Sequence, residues 1–225
     1  MCGRYALFGA PDKIQSQYRS INAPQWTARY NIAPSEKVPI LRLDKDFRRE
    51  FSMATWGWQS AAAGASSALL LNARAESLHE KPTFKTQARY ARCVLPADGF
   101  YEWAQKGGVK TPWFFSSTQE NQSFALAGLV KTFEDEGRLQ LETLIVTTAA
   151  NSLVSTLHHR MPVILQPHHI QDWLNPNLAY PLAQTVQPFE AKDMRSKQVS
   201  MALNQAGAEG VTLLTPDVPR QPSLF

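Results

Sequence analysis

Lys37-Val38-Pro39-Ile40-Leu41-Arg42-Leu43, followed after Asp44-Lys45-Asp46 by the run Phe47-Arg48-Arg49-Glu50-Phe51-Ser52-Met53-Ala54-Thr55-Trp56-Gly57-Trp58, sets the fold class of this chain. Apolar and polar residues alternate through both runs, the period of a strand with one buried face, and the acidic segment between them has turn chemistry. The pair predicts an antiparallel hairpin. A second pair repeats the pattern, with residues 124–131 and 139–148 flanking Glu134-Asp135-Glu136-Gly137. Residues 69–76 and 92–103 read as further strands or strand ends. Helical patterning is scarcer. It occurs at 11–19, at 167–174 and, behind an Asn151 or Ser152 cap, at 151–157, with Pro162 ending any continuation. Residues 59–68 (QSAAAGASSA) read as a mobile surface loop of small residues. No repeat and no linker interrupts residues 1–205, which predicts one α+β domain around a largely antiparallel sheet. Residues 206–225, sparse in apolar periodicity, read as a flexible tail.

Composition narrows the class. The chain has 225 residues, 44% hydrophobic and 19% charged, which suits a globular domain with a core that needs no staples. No apolar run approaches the roughly 18 residues of a membrane span. The start lacks a charged region followed by an apolar one, so no secretory signal is read and a cytoplasmic, nucleoid-associated protein is expected. Two cysteines, Cys2 and Cys93, make no disulfide framework. A formal charge of +4 permits a nucleic-acid partner without demanding one.

Cys2 stands out by position. A small side chain after the initiator methionine allows Met1 to be removed, which leaves an amine and a thiol on one residue. Such a 1,2-aminothiol condenses with an aldehyde to a Schiff base and then closes a thiazolidine ring. With unperturbed pKa values, roughly a tenth of the amine and a few per cent of the thiol are nucleophilic at neutral pH. Asn72-Ala73-Arg74-Ala75-Glu76, read as a strand, lines up an amide, a guanidinium and a carboxylate on one face. Arg74 could fork onto a phosphate and Asn72 could hold a polar intermediate. Glu102 sits among aromatics in Gly99-Phe100-Tyr101-Glu102-Trp103, surroundings that raise a carboxyl pKa toward general acid–base use. His158 and His159 offer an imidazole that titrates near pH 7. Neighbours on a chain cannot both face one site unless the backbone is irregular. With His168 and His169 they raise a zinc alternative, but no pair has i, i+4 spacing and no thiolate cluster accompanies them. No metal or other cofactor is expected. Arg4, Arg74, Lys81, Lys85, Arg89, Arg92 and Arg160 interleave with Trp56, Trp58, Tyr90 and Trp103, a mixture suited to a single-strand groove. Each pattern also has a plainer reading: a frayed end, a solvated strand face, an exposed glutamate, scattered charges.

In their order along the chain these elements resemble the SOS response-associated peptidase family, whose members act as abasic-site shields. The matching stretches are Met1-Cys2-Gly3-Arg4-Tyr5, Arg29-Tyr30-Asn31-Ile32-Ala33-Pro34, Trp56-Gly57-Trp58, Asn72 to Glu76, Arg92 to Trp103, Ala127-Gly128-Leu129 and Thr147 to Pro162. The resemblance implies a barrel-like core with a few helices. It also implies a covalent thiazolidine between Cys2 and the aldehyde of an abasic site in single-stranded DNA. Glu102 would assist sugar ring opening, and Asn72 would position the adduct. His158, selected over His159 by a His-x-Arg-x-Pro pattern, would move protons during formation and reversal. Arg4, Arg74 and Arg160 match phosphate-contacting positions, Pro34 and Trp58 a wedge region, and Trp103 and Thr148 further DNA contacts. Family members often carry Pro-x-Trp after Trp-Gly, whereas residues 59–68 here are rich in Ala and Ser.

The tail ends Gln221-Pro222-Ser223-Leu224-Phe225, which resembles the Gln-x-x-Leu-Phe peptide that binds the bacterial sliding clamp. Gln221 would orient it, and Leu224 and Phe225 would anchor it. The expected protein is then a monomeric enzyme on single-stranded DNA with abasic sites, with lyase and hydrolase character. Two alternatives stand beside it: a cysteine-type (auto)peptidase or N-terminal nucleophile hydrolase that removes Met1, and a non-catalytic single-strand binding module.

Overall fold

The computed structural model describes residues 2–23, 26–59, 69–178 and 185–217. The two hairpins read from the sequence are part of one ring of strands. Lys37–Leu43 pairs antiparallel with Arg49–Trp56, and Phe124–Asp135 with Arg138–Ala149. Arg92–Ala97 lies between Lys37–Leu43 and Phe124–Asp135, and a parallel contact between Arg138–Ala149 and Arg49–Trp56 closes the circle. This is the barrel-like core that the resemblance implied. Asn72–Arg74, Arg160–Pro162 and Ile164–Leu165 extend the sheet to eight strands.

The barrel alters the expected alternation. Val38, Pro39, Ile40 and Leu41 are all buried, and so is every residue of Arg92–Ala97. A small barrel fills its interior with side chains, and a second layer covers much of the outside. Gly128 marks how tightly the ring closes. A Cβ there would stand 2.4 Å from Leu95 Cδ1 and 2.9 Å from the Leu144 carbonyl oxygen.

The second layer is an antiparallel sheet in the order Met194–Gln198, Val109–Ser117, Gly99–Lys106, Tyr5–Leu7, Arg29–Ile32. The chain enters it at Asp98, so residues 92–103, read as one segment, are two strands in two sheets. The Asp98 carboxylate accepts the backbone N–H groups of Phe8 at 2.5 Å and Gly9 at 2.7 Å, which pins this corner to the N-terminal strand. Gly99 belongs there because a Cβ would lie 2.3 Å from the Phe115 carbonyl oxygen. The Val109–Ser117 and Met194–Gln198 strands escaped the sequence reading. Gly107-Gly108, both at positive φ, is the hairpin signal for the first.

Pro11–Tyr18 is helical as expected. Residues 151–157 form only the 3-10 turn Val154–Thr156, whose N-cap is Leu153; Asn151 lies two residues ahead of that cap, its Oδ1 accepting from Leu153 N and Val154 N. Residues 167–174 divide into the 3-10 turn Pro167–His169 and the helix Ile170–Leu174. The helix Pro82–Tyr90 went unread because only Phe84 and Ala88 face inward; Pro82 at its first turn was the available signal. Residues 206–217 are not a loose tail. Leu213 is 3% exposed, Glu209 holds Arg29 and the Tyr30 N–H, and Asp217 accepts from Ser200 Oγ and Met201 N. One buried leucine and polar contacts fasten this segment, so apolar periodicity could not reveal it. Residues 60–68 and Gln221, Leu224 and Phe225 lie outside the described residues. Among the described residues no helix is long and apolar enough to cross a membrane.

Candidate active site

Cys2 lies just before Tyr5–Leu7 and is wholly buried. That strand pairs with Gly99–Lys106, Tyr5 opposite Phe100, and the Tyr101 N–H donates to the Arg4 carbonyl at 3.0 Å. Continued two residues, the register brings Glu102 opposite Gly3, beside Cys2. Alternation decides which neighbours Glu102 keeps. Phe100 packs into the main core with Cys2, whereas Tyr101 and Trp103 turn to the opposite face and pack with Phe114, Val199 and Leu203.

Asn72 reaches the same point from the barrel sheet. Asn72–Arg74 runs parallel to residues 145–147, and Asn72 Nδ2 donates to the Cys2 carbonyl at 3.3 Å. Its Oδ1 is buried without a hydrogen-bond partner among the described residues. His158 comes from the irregular stretch between Val154–Thr156 and Arg160–Pro162. Thr147 lies opposite Arg74 on one side and Pro162 on the other, so these two short strands flank one end of Arg138–Ala149. His158 Nδ1 stands 2.9 Å from the Arg160 N–H and 3.1 Å from the Arg160 carbonyl oxygen. Either proton position on the ring therefore has a partner. His158 can present Nε2 as an acid when Nδ1 accepts, and as a base when Nδ1 donates. The His159 ring stacks on it with centroids 4.5 Å apart at 22°, which the irregular backbone permits.

Electrostatics bind these groups together. Burial pushes the Glu102 carboxyl up to about 7, and the amino-terminal charge opposes the rise. Burial also holds the Cys2 thiol far above its ordinary range, with Glu102 adding to the effect and the amino-terminal charge opposing it. The His158 imidazole is lowered by burial, then by the amino-terminal charge and by His159. The amino terminus thus acts on Cys2, Glu102 and His158 alike. With Met1 in place, burial keeps the thiol protonated, and it needs a base to take its proton. Glu102, titrating near neutrality beside it, is suited to that task.

The expected DNA contacts separate into two groups. Arg74 is exposed and has no ion-pair partner among the described residues, and Pro34 is half-buried in the turn before Ser35. Arg4 is half-buried and donates to Asn31 Oδ1 at 2.6 Å, while Asn31 Nδ2 holds the Ala208 carbonyl. The second group is enclosed. Trp58 is 2% exposed, with its ring against Phe84, Lys131 Nζ 5.4 Å from the ring centroid and its N–H on the Glu142 carbonyl. It fills core space and does not project as a wedge. Trp103 faces away from Glu102 and donates to Asn204 Oδ1, and Thr148 is buried. Arg160 is buried too, gripping Glu76 at 2.5 and 2.8 Å and the Thr147 carbonyl at 2.6 Å. Glu76, read as a strand residue in line with Arg74, lies instead in the 3-10 turn Ala75–Ser77 and pairs with Arg160. Asn31 and Glu76, which orient the two arginines, had no role assigned from sequence; only their places inside matching stretches signalled them. The pairs His158–His159 and His168–His169 lie on separate elements, and no cluster of three metal-ligating side chains occurs among the described residues.

A closed barrel backed by a second sheet thus brings Asn72 onto the Cys2 carbonyl, with the Glu102 carboxyl acting on the Cys2 thiol. This chain belongs to the SOS response associated peptidase (SRAP) family, whose sequence profile matches residues 1–206. It is 35% identical over 215 residues to the abasic site processing protein YoqW of Bacillus subtilis (strain 168), covering 91% of this chain and 94% of that protein. It is 27% identical over 229 residues to the abasic site processing protein YedK of Escherichia coli (strain K12), covering 96% and 100%. A solved structure from Bacteroides thetaiotaomicron has the same fold, with a TM-score of 0.81 at 23% identity, covering 96% of this chain and 100% of that one.

Proposed function

We propose that this protein processes abasic sites in single-stranded DNA by joining mature Cys2 to the lesion aldehyde. The observation that carries the reading is the Asn72 bond to the Cys2 carbonyl beside a carboxyl titrating near 7. Removal of Met1 frees the Cys2 amine. Glu102 takes the proton of the anomeric hydroxyl and returns one to the ring oxygen, opening the sugar. The amine adds to the aldehyde and water leaves, giving a Schiff base. The thiol then adds across C=N, its proton reaching the nitrogen by way of Glu102 or His158, and the thiazolidine closes with net loss of one water. Run backward through the same residues, the sequence releases the lesion. Asn72 fixes the Cys2 carbonyl throughout, and Arg4 and Arg74 supply cations for flanking phosphates. The names of YoqW and YedK support the lesion as substrate. The tail residues Gln221, Leu224 and Phe225 are proposed as a sliding-clamp tether, which a clamp pull-down with and without residues 221–225 tests.

Incubation of the mature protein with a single-stranded abasic oligonucleotide should give a species that survives denaturing electrophoresis and whose mass is the sum of the parts less one water. Retention of that species by Cys2→Ala, or its absence with the wild-type protein, overturns the reading. Turnover of a peptide without DNA favours the peptidase alternative instead.

A further inference from the structure

One group of cations noted in the sequence has no part in the chemistry above. Arg92 leaves that group at once, being buried with its guanidinium on the Ala88 and Arg89 carbonyls. Lys81, Lys85 and Arg89 remain, four residues apart along the helix Pro82–Tyr90 and the residue before it. That spacing stacks them on one helix face. All three are exposed, and none has an ion-pair or side-chain hydrogen-bond partner among the described residues. Phe84 and Ala88 are the buried positions, and at about 100° per residue the basic row runs along the exposed flank beside them. From Lys81 to Ala97 the chain carries no Asp or Glu. Glu80 is the nearest acid along the chain, and it lies 3.7 Å from the His79 imidazole.

Two further observations distinguish this face from ordinary solvated lysines. Tyr90 ends the row 58% exposed, with the Arg89 guanidinium 5.2 Å from its ring centroid. A large ring left in water beside cations is the composition that takes bases by stacking and phosphates by charge. The row also connects to the site. The Lys81 N–H bonds the Ser77 carbonyl, and Ser77 Oγ bonds the carbonyl of Arg74, itself exposed and unpaired among the described residues.

We infer that the exposed flank of the Pro82–Tyr90 helix is a second DNA-binding surface, where Lys81, Lys85 and Arg89 follow the phosphates of the single strand leading away from the lesion and Tyr90 stacks on one of its bases. From Lys81 to Arg89 the helix rises about 12 Å, the length of roughly three or four stacked nucleotides. This rests on the single-strand reading above, but it concerns binding and not bond formation, so the two can fail separately.

The test uses the full-length protein and a fluorescent, undamaged single strand, with affinity measured across salt. The triple variant Lys81→Gln, Lys85→Gln, Arg89→Gln should flatten the slope of log affinity against log salt by about 2, since each single-strand phosphate contact contributes about 0.7. Tyr90→Ala should weaken binding roughly tenfold with the slope unchanged. Both variants should melt like wild type and reach wild-type crosslink yield on saturating abasic strand. A control removing exposed Lys45, Lys110 and Arg138 should change the slope little. An unchanged slope in the folded triple variant overturns the inference. So does an equal loss in the control, which would make net charge the cause, or an effect confined to duplex DNA. A protein that shows the slope change but forms no crosslink keeps this inference and loses the covalent one.

Discussion

Glu102 combines two demands that a single residue seldom meets. For the proposed chemistry it must be buried enough to keep its proton near neutrality and close enough to the Cys2 thiol to exchange it. Its raised pKa means that the folded state binds that proton more tightly than the unfolded chain does. Stability relative to an unperturbed carboxyl is therefore intact below about 4.5 and is lost as pH rises toward 7. Glu102→Gln should accordingly stabilise the fold at pH 8, by about 2–3 kcal/mol, with no gain at pH 4; paired thermal melts at the two pH values check this. The same variant should lose any inflection near pH 7 in the rate of crosslink formation. His159 belongs to this scale as well. Its ring lies over His158 and lowers the His158 pKa, so His159→Gln should raise it, which an NMR titration of the imidazole resonances reads directly.

At the scale of elements, the contact that matters most is the Arg160–Glu76 pair. It ties the 3-10 turn after Asn72–Arg74 to the strand after His158, and so holds the two segments that deliver Asn72 and His158. The Arg160 side chain is 10% exposed and that of Glu76 is 56% exposed. The hydrogen bond and charge of Arg160 hold the Glu76 carboxyl below its usual range, so its contribution is present above the unfolded pKa and fades as pH falls through the folded one. Glu76→Gln should cost about 1–2 kcal/mol at pH 7, much of it from leaving a buried guanidinium short of its partner, and less at low pH. Denaturant unfolding at both pH values measures the difference. Crosslinking should slow as well, because both segments lose their shared anchor.

Across the whole molecule, the closed barrel sets the reference frame. Arg138–Ala149 pairs along its length with Phe124–Asp135, Arg49–Trp56, Asn72–Arg74 and Arg160–Pro162, so its register fixes where the site residues arrive. Gly128→Ala should strain that ring at Leu95 and at the Leu144 carbonyl, costing about 1–3 kcal/mol and lowering the midpoint of denaturant unfolding. Much of this was legible in the chain. Periodicity found both hairpins, and the resemblance of the motifs pointed to Asn72, which the fold joins to the Cys2 carbonyl, and to Glu102, whose charge acts on the Cys2 thiol. Other features could not be read. Residues 92–103 look continuous, yet Asp98 sends them into two sheets through bonds to Phe8 and Gly9, about 90 residues away in sequence. Arg74 and Arg160 carry the same charge, yet one is exposed with no ion pair among the described residues and the other is buried on Glu76. Trp58 and Tyr90 are both aromatic, yet one fills the core and the other meets water. The sequence by itself determined which groups are available and their local periods. Only the tertiary structure decided which are buried, paired or exposed, because burial and pairing depend on neighbours that the fold, and not the chain, makes adjacent.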